Sequence, residues 1–435
     1  MNFPAENIRP YSARLRSPLL TLICLHIVTC CVSVAYASQI YHTFHIFYDP
    51  KRLFVAVLIV AAFALVSLLL VFADFSFGYF VGFYFYSMVV GYLWLTCFSD
   101  FGYNREMTGL SAAVSAIAFL LPVLFISSPI RRLPAISPRT FDRLLTFLFL
   151  LSLATVAIGA SYNFQFVPPR AASSLRSDVI PAIPRYTIGI TSSVLLPFLF
   201  ACFVANKSYW RASAVLGLLL FYYPITLSKI ALFTPAWLIF LMLLSRIFKA
   251  NIAVILSLLG PILVGVILLT LSKYGIIPHD SAIPYFEIVN FRMLTVPASA
   301  MDFYNDFFSK HDLTYFCQIR ILKSMIGCPY YDQLSIVIRD AYPSVGNFNA
   351  SLFATEGIAS VGAWFAPVSV FVCGLVIALG NRLSAGLPPS FILLSGAILP
   401  QILLNVPLST ALLTHGGVFL FLLWYITPRS IFGRA

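Results

Sequence analysis

Charged residues are scarce in this chain. Asp, Glu, Lys and Arg make up 10% of its 435 residues, and hydrophobic residues make up 60%, whereas a soluble domain carries roughly 25% charged residues. This scarcity excludes a series of soluble domains and predicts helices embedded in a membrane. Alternating strands are missing too, because the apolar runs continue for roughly 18 residues or more, which excludes a β-barrel. We therefore predict an all-α polytopic membrane protein.

Common catalytic motifs are also missing. The chain has no Walker loop, HExxH, GxSxG, EF-hand or CxxC pattern, so neither an ATP-driven pump nor a zinc protease is expected. We predict no cofactor and no metal site. The net charge of +12 does not indicate a nucleic-acid partner, because Lys and Arg gather in the cytoplasmic loops of membrane proteins.

Apolar runs near 20 residues predict about twelve transmembrane helices. The predicted spans are 18–37, 53–73, 76–97, 110–127, 144–161, 186–205, 212–228, 231–245, 252–272, 358–380, 388–405 and 408–427. The first ends in AYAS, which resembles a signal-peptidase site, but its length favours an uncleaved anchor. A count of eleven or thirteen spans would leave the long segment after the ninth span in place.

The basic residues predict the orientation. With a cytoplasmic N-terminus, 14 Lys and Arg fall in inside loops and 7 in short outside segments, as the positive-inside rule requires. Both termini are then cytoplasmic, in a bacterial inner membrane. The domain organisation follows: residues 1–272 hold spans one to nine, residues 273–357 form a large periplasmic loop, and residues 358–435 hold the last three spans.

The long segment 273–357 is the only long stretch that does not match a span. It holds 6 of the 27 basic and 8 of the 15 acidic residues, so we expect it to carry a polar active site or a lid. Within it, residues 313–327 predict an amphipathic helix on the membrane surface. Cys317 and Cys328 could form a disulfide in an oxidising compartment or remain two free thiols.

Basic residues at the outside face are candidates for binding phosphate. The predicted loop 162–185 holds Arg170, Arg176 and Arg185 against one acid, Asp178. Guanidinium groups pair with phosphate oxygens and stay charged at any pH, which favours a phosphate clamp. Contacts with anionic lipid head groups or salt bridges between loops are the alternatives.

Two further basic residues could join such a clamp. Lys229 lies between two short apolar runs, where it is either functional or extends to the interface. Arg292 opens the polar part of the long segment and precedes Pro297.

The same segment offers proton acceptors. Asp302 and Asp306 are one helical turn apart, so two like charges could raise the pKa of one carboxyl. A solvated face is the alternative, and the lone His311 is another candidate base. Glu356, Asn347 and Asn349 could line a polar cleft, although Asn349 could instead cap a helix.

The stretch FRMLTVPASAMDFYNDFF, followed by GNFNASLFATEGIASVGAWFAP, resembles the oligosaccharide repeat-unit polymerases, the Wzy-type O-antigen polymerases. That family shows an arginine opening the long loop, then a tyrosine with paired aromatics, an asparagine-containing stretch and an acid–Gly pair before a span. The matching positions are Arg292, Tyr304, Phe307, Phe308, Asn347, Asn349, Glu356, Gly357 and Pro367. Lys229 resembles a lysine that the family places between two spans.

The resemblance implies a metal-independent, GT-C-like glycosyltransferase. It would move a glycan from undecaprenyl pyrophosphate onto a newly flipped lipid-linked repeat unit. With the candidates taken from the residues themselves, it gives three groups: Glu356, Asp302, Asp306 and His311 for proton transfer; Arg170, Arg176, Arg185, Lys229 and Arg292 for pyrophosphate; and Tyr304, Asn347 and Asn349 for the glycan. Membrane lipids, a chain-length regulator and a flippase are the candidate partners. An O-antigen ligase and a lipid-linked oligosaccharide flippase or other transporter are the rival functions.

Overall fold

The computed structural model describes residues 13–131, 136–168, 180–345 and 352–432. Over these ranges the chain is helical, with one isolated antiparallel bridge between Ile46 and Ser99. The helices are α1 (Ala13–Ile40), α2 (Leu53–Ala64), α3 (Ser67–Phe72), α4 (Phe77–Leu95), α5 (Arg105–Phe125), α6 (Pro138–Tyr162), α7 (Ala182–Ile190), α8 (Leu196–Ala205), α9 (Tyr209–Thr226), α10 (Lys229–Ile247), α11 (Ala250–Lys273), α12 (His279–Phe286), α13 (Val296–Phe308), α14 (Arg320–Ile326), α15 (Leu334–Ala341), α16 (Ala359–Ser384), α17 (Pro389–Ser395), α18 (Leu399–Leu403), α19 (Leu408–Leu413) and α20 (Gly417–Ile426). The predicted all-α class is confirmed.

Nine helical segments in these ranges are long and apolar enough to cross a membrane. They are Arg16–Ile40, Pro50–Phe72, Phe77–Leu95, Arg105–Phe125, Pro138–Tyr162, Ala182–Ala205, Lys229–Ile247, Ala250–Lys273 and Ala354–Ser384. Each overlaps one predicted span, which confirms a polytopic membrane protein.

The other three predicted spans look different in the structure. Helix α9 is continuous but is not among the nine segments. The predicted spans 388–405 and 408–427 are each broken into two short helices, α17 with α18 and α19 with α20. The second break holds Gly416 at a φ of +83°, a conformation that a side chain disfavours. Twelve complete spans are therefore not confirmed.

Helices α5 and α16 run side by side in parallel. The Ser111 hydroxyl, near the start of α5, donates to the carbonyl of Ala363. Near the other end of the pair, Asn381 donates to the carbonyl of Val123 at 2.8 Å and accepts the Gly78 N–H of α4 at 2.6 Å. This buried amide joins three helices. Helix α4 is antiparallel to this pair, because Gly78 at its start lies beside Asn381 and Val123. The last residues of α4 therefore lie at the end of the bundle where α5 and α16 begin.

The main difference from the sequence prediction lies in the segment 273–357. Helix α12, a π-helical stretch (Glu287–Thr295) and α13 follow one another without a break, and every residue of α13 from Pro297 to Phe308 is buried. This helical run packs on α1, α4 and α11 rather than lying outside them. Its polar residues lower the hydropathy, but they bond inside the bundle: Asn290 donates to Ser33 at 3.0 Å and to Ile262 at 2.8 Å.

Residues 309–345 follow α13 and hold the two short helices α14 and α15. Cys317 and Cys328 are joined by a disulfide with their Cα atoms 5.4 Å apart, so the first of the two sequence alternatives is the one observed. The predicted surface helix over 313–327 is shorter than expected, because only Arg320–Ile326 is helical. Tyr315 and Phe316, which precede it, have positive φ values, a conformation that does not continue a helix.

Candidate active site

Asp302 is a fully buried carboxyl in the middle of α13. The hydroxyl of Tyr103, which lies two residues before α5, donates a hydrogen bond to Asp302 Oδ1. Both α13 and the 96–104 connection are fixed by the packing of α13 on α4. The structure thereby joins two residues that are far apart in the sequence.

A small group of buried hydroxyls extends this contact. Tyr103 Oη lies 3.0 Å from Thr96 Oγ1 and 3.3 Å from Tyr92 Oη. Asn305, one turn after Asp302, donates its amide to Tyr92 Oη at 3.0 Å. We call these five residues the Asp302 cluster. Such a connected polar network holds its members in one geometry, because each unpaired buried group would cost free energy.

The protonation equilibrium of Asp302 is shifted towards the neutral acid. Burial raises the pKa of this carboxyl to about 7, against the opposing effects of the Tyr103 hydroxyl and the Arg105 charge. Its second oxygen, Oδ2, has no hydrogen-bond partner within the described part of the chain, although the Ser99 hydroxyl is near enough to lower the pKa. Asp302 lies outside the nine candidate spans. A carboxyl with this pKa and a free oxygen can accept a proton near neutral pH.

Asp306 shares the face of α13 with Asp302, as predicted, but the two carboxyls are in different environments. Lys310 Nζ lies 2.6 Å from Asp306 Oδ1, and the Tyr342 hydroxyl donates to Oδ2 at 2.6 Å. The predicted solvated face is wrong, since both acids are buried. The expected like-charge effect is present but small: among the causes of the raised pKa of Asp302, the Asp306 charge is the least.

A cavity of about 380 Å³ adjoins the Asp302 cluster. Its walls come from the two connections that the Ile46–Ser99 bridge holds together, where Phe47 N donates to the Phe98 carbonyl at 2.8 Å and Asp100 N to the His45 carbonyl at 3.1 Å. The lining residues of this "bridge cavity" are Phe47, Asp49, Arg52, Phe98, Ser99, Asp100 and Arg105. Ser99 and Arg105 therefore belong to the cavity and also act on Asp302.

Glu356 is buried in a different place. It lies in the π-helical stretch Ala354–Ile358, and its Oε1 accepts the Ser409 N–H at 3.3 Å while Cys373 Sγ lies 3.2 Å from Oε2. Its carboxylate thus links α16 to the start of α19. Asp302 bonds instead to the connection before α5, so the structure places these two predicted acids in separate clusters.

Two of the predicted basic residues lie at one corner of the bundle. Gly159, near the end of α6, packs against Ile188 of α7 and Ile225 of α9. Arg185 lies three residues before Ile188 in α7, and Lys229 begins α10 four residues after Ile225, past the left-handed Leu227 that ends α9. The exposed Arg185 donates to the Ile180 carbonyl at 2.8 Å.

Arg292 is separate from this corner. It is an exposed residue of the π-helical stretch Glu287–Thr295, where the neighbouring Phe291 stacks on Tyr41 with the ring centroids 3.9 Å apart.

The remaining predictions have mixed outcomes. Tyr304, predicted to contact glycan, is fully buried, and a sugar cannot reach its ring in this conformation. His311 is exposed, and its ring lies 4.0 Å from that of Phe307 while Nδ1 contacts the Phe307 carbonyl at 2.8 Å. Four predicted site residues lie outside the described residues: Arg170, Arg176, Asn347 and Asn349.

Sequence reasoning did not select Tyr103, Arg105 or Arg52 for the site. Arg52 carried a signal, because Lys51 and Arg52 stand on the predicted outer side against the positive-inside rule. Tyr103 carried no signal, since its only distinguishing feature is a partner in a distant part of the chain.

Comparisons with protein-family models, with curated proteins and with solved structures find no match for this chain.

Proposed function

We propose that this protein is a membrane glycosyltransferase that polymerises oligosaccharide repeat units carried on undecaprenyl pyrophosphate, as the family resemblance implies. The observation that supports it best is the buried carboxyl of Asp302, whose pKa of about 7 and free Oδ2 suit a proton acceptor. It lies at an end of the bundle that also carries cationic side chains, and under the predicted orientation that end faces the periplasm.

In the proposed reaction, a hydroxyl of the acceptor sugar attacks the anomeric carbon of the donor glycan. Because Asp302 has no exposed surface in this conformation, the hydroxyl proton passes to it through the Ser99 hydroxyl, which lines the bridge cavity and acts on the carboxyl, as the new carbon–oxygen bond forms. The bond between the anomeric carbon and the pyrophosphate breaks, and the electron pair leaves with the pyrophosphate. The donor arrives already activated, so the reaction needs no nucleotide.

Arginine and lysine side chains would stabilise the charge on the departing pyrophosphate. Arg105 is the described cation that acts directly on Asp302. Arg185 and Lys229 are close in sequence to Ile188 and Ile225, which pack at the α6–α7–α9 corner, and Arg292 is exposed on the helical run that carries Asp302. Arg170 and Arg176 remain candidates from the sequence.

A ligase would use the same donor and the same proton transfer, but would deliver the glycan to lipid A–core. Deleting the gene distinguishes the two: lipid A–core with a single repeat unit indicates the polymerase, and lipid A–core without any O-antigen indicates the ligase.

A transporter is the less favoured alternative. In the nine candidate spans, every Asp, Glu, Lys and Arg lies within six residues of a span end, and the histidine near the middle of the first span, His26, is buried with its Nε2 2.8 Å from Ser87 Oγ. A transporter that moves a charged lipid head group is expected to carry ionisable groups near the membrane centre.

The direct test uses protein purified into nanodiscs and supplied with the lipid-linked repeat units of its host. We expect a ladder of longer lipid-linked glycans from the wild type. The Asp302→Asn variant should form none, whereas the exposed Asp340→Asn variant should match the wild type. A ladder from Asp302→Asn, or none from the wild type, would contradict the proposal.

A further inference from the structure

We propose that the bridge cavity is a binding site for a neutral sugar residue, with Phe47, Arg52 and Asp49 among its contacts. This identifies a glycan subsite for the proposed transferase and rests on the proposed function only in assigning the sugar to a substrate. The binding itself can be measured without turnover.

The first argument is the charge of the cavity wall. Two arginines, Arg52 and Arg105, face two aspartates, Asp49 and Asp100, so the formal charges of the lining residues cancel. Arg52 Nε lies 3.8 Å from Asp49 Oδ2, and Asp100 Oδ1 lies 3.2 Å from His45 Nδ1. A free phosphate would gain no net attraction from such a wall, whereas a polyol needs donors and acceptors side by side.

The second argument is that hydrogen-bonding capacity is left over. Arg105 Nη2 donates to the Phe101 carbonyl at 2.7 Å, but Arg105 Nε is buried and has no partner among the described residues. Arg52 uses Nη1 on the Cys97 carbonyl at 3.3 Å. Buried donors without partners are rare in folded proteins, and sugar hydroxyls are suitable acceptors for them.

The third argument is shape and apolar surface. The half-exposed Phe47 and the buried Phe98 both line the cavity. Aromatic rings provide the apolar surface on which the C–H face of a sugar can pack. A volume of about 380 Å³ is at the lower end of the roughly 300–1,000 Å³ typical of small-molecule pockets, which suits one or two sugar rings.

The position of the cavity explains why a sugar there would be useful. Ser99 and Arg105 lie between its interior and Asp302. A sugar held against Phe47 and Arg52 would present its hydroxyls towards Ser99 and Arg105, the two residues that separate the cavity from the buried Asp302 carboxyl.

The test measures binding of the free repeat-unit oligosaccharide, released from the host's lipid-linked pool by mild acid, to the full-length protein in nanodiscs. Saturation-transfer NMR and calorimetry give the contact and the affinity. We expect Phe47→Ala and Arg52→Gln to weaken affinity at least tenfold. Phe54→Ala is the matched control, because this ring is 72% exposed on the neighbouring helix and lies outside the cavity. Thermal melting of each variant shows whether it is folded.

The outcomes separate this inference from the proposed function. If Asp302→Asn loses transfer but still binds the oligosaccharide, both stand. If the oligosaccharide binds equally well to Phe47→Ala and Arg52→Gln, the cavity is not its site, although the transferase could still be correct. If inorganic pyrophosphate binds instead and Arg52→Gln abolishes that binding, the cavity is an anion site and the inference is overturned.

Discussion

The Tyr103 hydroxyl donates to Asp302 Oδ1 across 199 positions of sequence. This hydrogen bond favours the ionised carboxylate, whereas burial favours the neutral acid, and the balance leaves the pKa of Asp302 at about 7. Asp306, one turn later, has a lysine and a second tyrosine as partners. Two neighbouring acids on one helix therefore have different environments: Asp306 is paired with Lys310 and Tyr342, whereas Asp302 has the raised pKa that the proposed proton transfer requires.

Removing the Tyr103 hydroxyl should shift the pH dependence of transfer. Without its hydrogen bond, Tyr103→Phe raises the pKa of Asp302 further, so the base is deprotonated only at higher pH. A hydrogen bond to a charged group contributes roughly 1.5–3 kcal/mol, which corresponds to a shift of about one to two pH units. Transfer rates measured from pH 5 to 9 give the rising limb of the pH–rate profile. The control variant Tyr342→Phe removes the hydroxyl that bonds Asp306 and should leave the pH–rate profile unchanged. A Tyr103→Phe profile that does not shift would refute Asp302 as the proton acceptor.

Replacing Asp302 should lower the transfer activity and raise the stability of the folded protein at pH 8. The folded protein holds this proton more tightly than the unfolded chain does, so the contribution to stability is full below about pH 4 and is lost as the pH rises to about 7. Asp302→Asn does not titrate. At pH 8 we expect this variant to have a higher melting temperature than the wild type, with a free energy of unfolding greater by at most about 4 kcal/mol. Its transfer rate should fall by roughly 10²–10⁴-fold. Equal melting temperatures at pH 8 would show that the carboxyl is not destabilised by burial.

The ion pair of Asp306 and Lys310 should be structural. Lys310→Met leaves a buried carboxylate with only the Tyr342 hydroxyl, and the expected loss is roughly 1–3 kcal/mol, less than for a fully buried pair, because the Lys310 side chain is 54% exposed. Adding Asp306→Asn should restore most of the loss. Melting curves of the single and double variants measure the coupling. Transfer per folded molecule should stay near the wild-type value, and a specific loss of turnover would place Asp306 in the reaction instead.

The Cys317–Cys328 disulfide should protect both thiols from maleimide unless a reductant is present. Changing both residues to serine removes the cross-link, and native disulfides typically contribute about 2–4 kcal/mol. We expect a lower temperature for the local unfolding of residues 309–345, seen as faster proteolysis there, with the transmembrane helices unaffected. Free labelling of both cysteines before reduction would show that the bond does not form in the cell.

The cationic residues give a further test. Arg292→Ala and Arg176→Ala should reduce polymer formation at least a hundredfold, the usual effect of removing a group that stabilises developing charge. The exposed Arg339, which pairs with Asp340 at 2.8 Å, supplies the control Arg339→Ala. Normal chain lengths in both variants would remove Arg292 and Arg176 from the proposed mechanism.

Periodicity and hydropathy predicted the fold class and nine of the segments that could cross a membrane, because a long apolar helix is a local signal. The same signal failed for residues 279–308. Asn290, Asp302 and Asn305 lower the local hydropathy, and only the folded structure shows that their partners are Ser33, Tyr103 and Tyr92. The spacing of Asp302 and Asp306 correctly placed them on one face of a helix. It could not show that this face is buried.

The site itself was only partly predictable. Asp302 was among the candidate proton acceptors, yet the residues that set its pKa lie about 200 positions earlier in the chain, and no local pattern links them. Arg52 was visible as an exception to the charge rule. Tyr304 was predicted as a glycan contact, but burial of α13 encloses its ring.

The contacts of α13 also determine when the site can form during synthesis. The ribosome releases Tyr92, Thr96 and Tyr103 long before Asp302 and Asn305. The early helices therefore enter the bilayer before the Asp302 cluster is complete. The acidic member of the cluster, Asp302, is added only when α13 has been synthesised. A nascent chain stopped before residue 302 should therefore be inserted but lack the Asp302 cluster, which assembles only after the early helices are in the bilayer.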